Sequence, residues 1–184
     1  MSAYKFDDPD GLYFLTFTVV EWVDIFSRQD YVNIILDSLR FCQREKGLIV
    51  TAWVIMSNHL HLIISREENT RNTLSDIVRD FKKITSSQIL NEIRSNSLES
   101  RKNWMLWIFK SAGERNRNNK NHQFWKQDNR AELLFSNDFM EQKLDYLHQN
   151  PVKAGLVDEA EHYRYSIARD YCGYQGLLEI VLIE

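Results

Sequence analysis

A chain of 184 residues, 43% apolar and 27% charged, suits one globular domain over residues 1–184 with its core at about 10–172. No stretch reaches the roughly 20 apolar residues of a membrane helix, and the N-terminus lacks the basic-then-apolar order of a signal peptide, so a cytoplasmic protein is expected. The net charge of −3 argues against a uniformly basic nucleic-acid binder, and Cys42 and Cys172 match no metal or redox spacing.

The first element is a strand, Tyr13 to Val20, where aromatic or branched residues alternate with threonine in the pattern of a half-buried sheet member. Asp30 then reads as an N-cap, and Val32, Ile35, Leu36, Leu39 and Cys42 recur at helical spacing until Gly47. Leu48 to Met56 and His59 to Ser65 form two further strands with Ser57-Asn58 at the bend between them. A second helix begins near Thr73, with Asp76 completing a capping box. Its apolar stripe is Leu74, Ile77, Val78, Phe81, Ile84 and Ile89, while Arg79, Lys82 and Lys83 fall largely on other faces.

Farther on, Trp104 to Lys110 reads as a strand and Glu114 to Asn121 as an exposed polar loop. A third helix from about Asn137 to Gln149 is expected to stop at Asn150-Pro151, because the residue before proline disfavours the helical region. Strand, helix, strand, strand, helix, strand, helix implies an α+β fold. The expected form is a ferredoxin-like sandwich, an antiparallel sheet of four to five strands packed with helices.

Charge is unevenly spread. Between Arg101 and Arg130 eight lysines or arginines stand against two acids, whereas from Ala131 onward four bases stand against ten acids. Such asymmetry marks either a face that meets phosphate or a solvated basic loop.

Two constellations bear on chemistry. His59 and His61 lie at i and i+2 on a strand, on one face and about 7 Å apart. Imidazoles so placed can grip one divalent cation or serve as plain polar residues, although polar groups on an otherwise apolar strand are expensive to bury. Downstream, Phe139, Lys143, Tyr146 and Asn150 share one helical stripe, beside the core stripe of Met140, Leu144 and Leu147. A tyrosine hydroxyl is a poor nucleophile at its ordinary pKa of about 10, but a nearby cation lowers that value and polarises a phosphate. By itself Tyr146 reads equally as a packed helix residue.

The order of these pieces resembles a known family. Asn58-His59-Leu60-His61 on a strand is followed by Asp145-Tyr146, three intervening residues, and Asn150-Pro151-Val152-Lys153-Ala154-Gly155-Leu156-Val157. With Trp53 to Met56, Phe81-Lys82-Lys83 and His122 to Trp125, this arrangement is similar to the single-tyrosine transposases of the HUH superfamily, above all their REP-associated branch. The likeness runs from about Tyr13 to Tyr171.

The resemblance implies a metal-dependent transposase or endonuclease that nicks and rejoins single-stranded DNA at or near hairpins, through a 5′-phosphotyrosine intermediate. In that reading Tyr146 is the nucleophile, His59 and His61 hold the metal, and Asn150 is a third ligand or supports one. Mg²⁺ or Mn²⁺ is the implied cofactor, imidazole ligands favouring Mn²⁺ and cellular supply favouring Mg²⁺. Arg79, Lys82, Lys83, Arg115, Arg117, Lys120 and Lys153 are candidates to track the DNA backbone, and Trp104, Trp107, Phe124 and Trp125 to stack on unpaired bases. Two alternatives stand beside it: a transposase-derived protein that binds hairpins without cutting, and a metal-dependent phosphodiesterase that activates water. Both a monomer and a homodimer fit, since related transposases exchange the tyrosine helix between subunits whereas the REP-associated branch is expected to act alone.

Overall fold

Strand β1 (Tyr13–Thr18) pairs antiparallel with β3 (His59–Arg66), which pairs antiparallel with β2 (Leu48–Ile55), so β1 and β2 run parallel with β3 inserted between them. Helix α1 (Gln29–Lys46) makes the crossover from β1 to β2, the split β-α-β arrangement of ferredoxin-like sandwiches. The computed structural model describes residues 5–116, 121–127 and 131–182. After β3 come α2 (Leu74–Ser95), α3 (Lys102–Glu114), β4 (Glu132–Leu133), α4 (Asn137–Lys153) and α5 (Ala168–Tyr171), giving a four-stranded antiparallel sheet in the order β2-β3-β1-β4.

Register sorts the sheet into two faces. Tyr13, Leu15 and Phe17 stand opposite Ile64, Leu62 and Leu60, and Phe17 meets Phe81 of α2 edge-on at 5.6 Å. Phe14, Thr16 and Thr18 stand opposite Ile63, His61 and His59 on the other face, where α4 brings Tyr146 within 6.1 Å of Phe14. Helices on both faces explain why β1 is buried almost throughout rather than half-buried as its alternation suggests. Short extensions cover the edges: 124–126 lies along Thr18–Val20, and 165–167 along Trp53–Ile55. The C-terminal tail packs on its own domain, with Leu178 buried and Val181 donating its amide to the Val50 carbonyl at 3.1 Å.

Caps account for most helix ends. Gly47 closes α1 at φ 70°, and Thr73 with Asp76 forms a reciprocal capping box at the start of α2. Helix α1 starts at Gln29, one residue before the expected cap, so Asp30 sits in the first turn, where a carboxylate favours the positive end of the helix dipole. On α2, Ile84 is exposed and Thr85 takes the buried position.

Two expectations are corrected. The run from Trp104 to Lys110 is helical: Met105, Ile108, Phe109 and Ala112 are buried at helical spacing while Trp104 and Trp107 face outward. The fourth strand is instead Glu132–Leu133, pairing with Tyr13 and Phe14. Of the expected loop from Glu114 to Asn121, residues 117–120 lie outside the described residues, and Glu114 itself closes α3.

Helix α4 likewise runs past Pro151 to Lys153. Proline in the last turn forfeits one backbone bond, and the stop comes from Gly155 at φ 69°. Leu156 donates to the Pro151 carbonyl at 3.0 Å and Gly155 to that of Val152 at 2.9 Å, a Schellman motif. A Cβ at Gly155 meets nothing within 4 Å, so Gly155→Ala tests conformation alone. We expect it to destabilise the fold by about 1–2 kcal/mol, read as a lower denaturant midpoint with an unchanged slope.

Candidate active site

The alternation of β3 puts His59 and His61 on the α4 face of the sheet, with ring centroids 4.9 Å apart. Each ring is held through Nδ1. That of His61 lies 2.8 Å from Thr16 Oγ1 on the neighbouring strand, and that of His59 lies 2.7 Å from Asn58 Oδ1 in the hairpin turn. With the proton assigned to Nδ1, which then donates to these oxygens, the Nε2 lone pair of His59 is left for a ligand and that of His61 faces the Tyr146 hydroxyl. Burial lowers the pKa of His59, and burial, with the His59 and Lys143 charges, pushes that of His61 down to about 3. Both imidazoles are therefore neutral near pH 7, the form that binds metal.

Helix α4 is anchored by buried Leu147 and Pro151, which turns the neighbouring stripe toward the histidines. The Tyr146 hydroxyl donates to His61 Nε2 at 3.3 Å, while 42% of the tyrosine stays open to solvent. Phe14 stacks on the His61 ring at 5.3 Å and limits its freedom from the side. Lys143, one turn before Tyr146, lies 4.3 Å from the Phe14 ring centroid and pairs with Glu132 at 2.6 Å, which puts a cation beside the tyrosine. The meeting of His61 and Tyr146 is made within one chain.

The donor set suits a divalent cation: two neutral imidazoles on one face, their orientations fixed by Thr16 and Asn58. Among the described residues no third histidine, cysteine or carboxylate completes a cluster of three, so the other positions are open to oxygen donors from outside or to an amide. Asn150 stands half-buried one turn after Tyr146 on the same helix.

The basic candidates are dispersed. Arg79 is exposed and engaged by Asp76 and Asp80, and Lys83 and Lys153 are exposed. Lys82 is largely buried, which lowers its pKa to about 8, and its ammonium donates to the Lys126 carbonyl at 3.1 Å. Arg115 pairs with Glu21 at 2.9 Å, and Arg117 and Lys120 lie outside the described residues. Of the aromatic candidates, Trp104 and Trp107 are exposed. Phe124 and Trp125 belong to the core, with the Trp125 indole N–H donating to Thr85 at 3.0 Å, and they offer no face to a base.

Sequence reasoning missed Thr16, Asn58, Lys143 and Trp22 as contributors to this corner. Thr16 was recoverable from the alternation of β1, and Lys143 from its position on the Tyr146 stripe. Trp22, whose ring stands 6.0 Å from that of His59, left no periodic signal.

Comparison with known proteins bears on the same elements. The family described as transposase IS200-like matches residues 13–109, just over half of the chain; this takes in both histidines and stops before α4. Among curated proteins nothing matches. The solved structure of a REP-associated tyrosine transposase bound to a REP hairpin shares the fold at a TM-score of 0.66 and 19% identity, covering 96% of this chain and 90% of that one. With the match spanning β1 to α3, the chain belongs to the IS200-like transposase family.

Proposed function

We propose that this transposase nicks and rejoins single-stranded DNA at or near hairpins, with Tyr146 as nucleophile. The observation that carries the reading is the Tyr146 hydroxyl 3.3 Å from Nε2 of His61, on a tyrosine that is 42% exposed to solvent. The oxygen of Tyr146 attacks the phosphorus and the bond to the 3′-oxygen breaks. The hydroxyl proton leaves the tyrosine, and the departing 3′-oxygen takes one up. The products are a 5′-phosphotyrosine and a free 3′-hydroxyl, and attack by another 3′-hydroxyl reverses the step with the bond energy retained.

A Mg²⁺ or Mn²⁺ ion held by His59 and His61, with Asn150 in support, would neutralise charge on the scissile phosphate and on the leaving oxygen. Thr16 and Asn58 keep the two rings turned for this task, and the Phe14 stack limits the movement of His61. Lys143 adds positive charge on the same side. The hairpin of the structurally similar transposase supports a folded DNA arm as partner, with Arg79, Lys83, Arg115 and Lys153 as exposed candidates for its backbone.

The test is adduct formation with labelled hairpin oligonucleotides in Mg²⁺ or Mn²⁺, resolved on denaturing protein gels. A covalent protein–DNA band that needs the metal and is lost in Tyr146→Phe is the expected result. Cleavage that persists in Tyr146→Phe without an adduct would overturn it in favour of water as the attacking group. Hairpin binding with no cleavage across a wide set of flanking sequences would indicate a protein that only binds.

A further inference from the structure

Beside the histidines the backbone turns sharply through Val20–Trp22, where Glu21 (φ 51°) and Trp22 (φ 55°) both occupy the left-handed region. That region is unfavourable for residues with a side chain, and two in succession persist only where the surroundings hold them. Here Val20 donates to the Phe124 carbonyl at 2.9 Å, Arg115 pairs with Glu21 at 2.9 Å, and Asn58 donates its amide to the Trp22 carbonyl at 3.4 Å. What this strain secures is not core packing. The Trp22 indole is 56% exposed, stands edge-on to His59, and has the Lys126 ammonium 4.3 Å from its ring centroid.

A polar surface cleft of about 570 Å³ opens next to this turn, lined by Glu21, Arg115, Gln123 and Lys126 among others. A flat apolar ring, a cation on it, amide groups in the adjoining cleft and the His59 imidazole at its edge together match one ligand chemistry: an unpaired nucleotide, with its base, phosphate and polar base edges.

We propose that Trp22 is a base-stacking residue, on which the base of an unpaired nucleotide next to the attacked phosphate stacks while Lys126 moves from the ring to that nucleotide's phosphate. The inference rests on the reading of this site as one that binds single-stranded DNA. Asn58 makes the stacking useful, since its amide holds the Trp22 carbonyl while its oxygen holds His59 Nδ1, so the base and the candidate metal ligand share one support.

The test is a binding cycle by fluorescence anisotropy in Mn²⁺, with a hairpin oligonucleotide carrying single-stranded oligo(dT) arms and a single abasic site walked along them. Tyr146→Phe serves as the parent so that no strand is cut. At one abasic position near the scissile phosphate, we expect affinity to fall about ten- to hundredfold with Trp22 present and less than about twofold in Trp22→Ala, Trp22→Phe restoring much of the difference. Equal abasic losses with and without Trp22 at every position overturn the inference, whatever the adduct assay shows. A Trp22-dependent loss sustains it even if no adduct forms, in which case only the nucleophile assignment falls. Failure of the parent to bind the oligonucleotide overturns both.

Discussion

Replacing His61 by alanine is expected to lower the rate of adduct formation by about a thousandfold or more, because charge stabilisation of several kcal/mol at the phosphate depends on it. Thr16→Val is expected to lower the rate by only about ten- to hundredfold, the range for groups that orient a metal ligand. The contrast follows from geometry. His61 presents Nε2 to Tyr146 and Nδ1 to Thr16, so losing the ring removes the ligand while losing the hydroxyl only frees its orientation. Valine keeps the shape of threonine, and the Phe14 stack at 5.3 Å keeps the ring roughly in place. Raising Mn²⁺ should therefore recover much of the rate in Thr16→Val and little in His61→Ala. Single-turnover adduct formation across a Mn²⁺ series measures both. A His61→Ala protein that reacts at the wild-type rate would remove the histidine from the mechanism.

The parts of this fold that were legible in the sequence are those decided by neighbours along the chain. Gly47 and the Thr73-Asp76 box act over three or four residues, and both helix ends fall where the residues put them. The Trp104 to Lys110 run was misread because tryptophan, isoleucine and phenylalanine favour strands, whereas burial of Met105, Ile108 and Phe109 against the rest of the domain follows the helical period. At Pro151 a local rule lost to a stronger local signal four residues later, the glycine of the Schellman motif. The meeting of Tyr146 with His61 spans 85 residues and no periodicity encodes it; only the resemblance to a family linked them. Trp22 was illegible for another reason. Its exposure depends on two left-handed backbone positions that neither glutamate nor tryptophan announces.

Glu99→Ala is expected to destabilise the fold by about 2 kcal/mol, since it removes a buried acceptor and leaves the buried Tyr31 hydroxyl without its partner. The carboxylate is fully buried between α1 and the start of α3. It accepts from the Tyr31 hydroxyl at 3.1 Å and the Arg101 amide at 3.0 Å, and pairs with Arg28 at 3.1 Å. Burial alone would raise its pKa, but hydrogen bonds from the Arg101 backbone, Tyr31 and the Arg101 side chain outweigh that and hold it below the ordinary carboxylate value. The sign follows from this direction. A depressed folded-state pKa stabilises the protein above the unfolded value of about 4.3, and the contribution is lost as pH falls through the folded one. Glu99→Gln keeps the shape and removes the proton site, so its deficit against wild type should be largest near neutral pH and shrink below about pH 4. Denaturant midpoints of the two proteins across that range provide the measurement, and a deficit that stays constant with pH would show that the loss comes from the altered hydrogen bonding of the amide and not from the charge of Glu99. The same network reaches toward the candidate site: Arg101 also pairs with Asp24 at 2.7 Å, two residues beyond Trp22, so the ion pairs that join α1 to α3 also tether the segment leaving the strained turn.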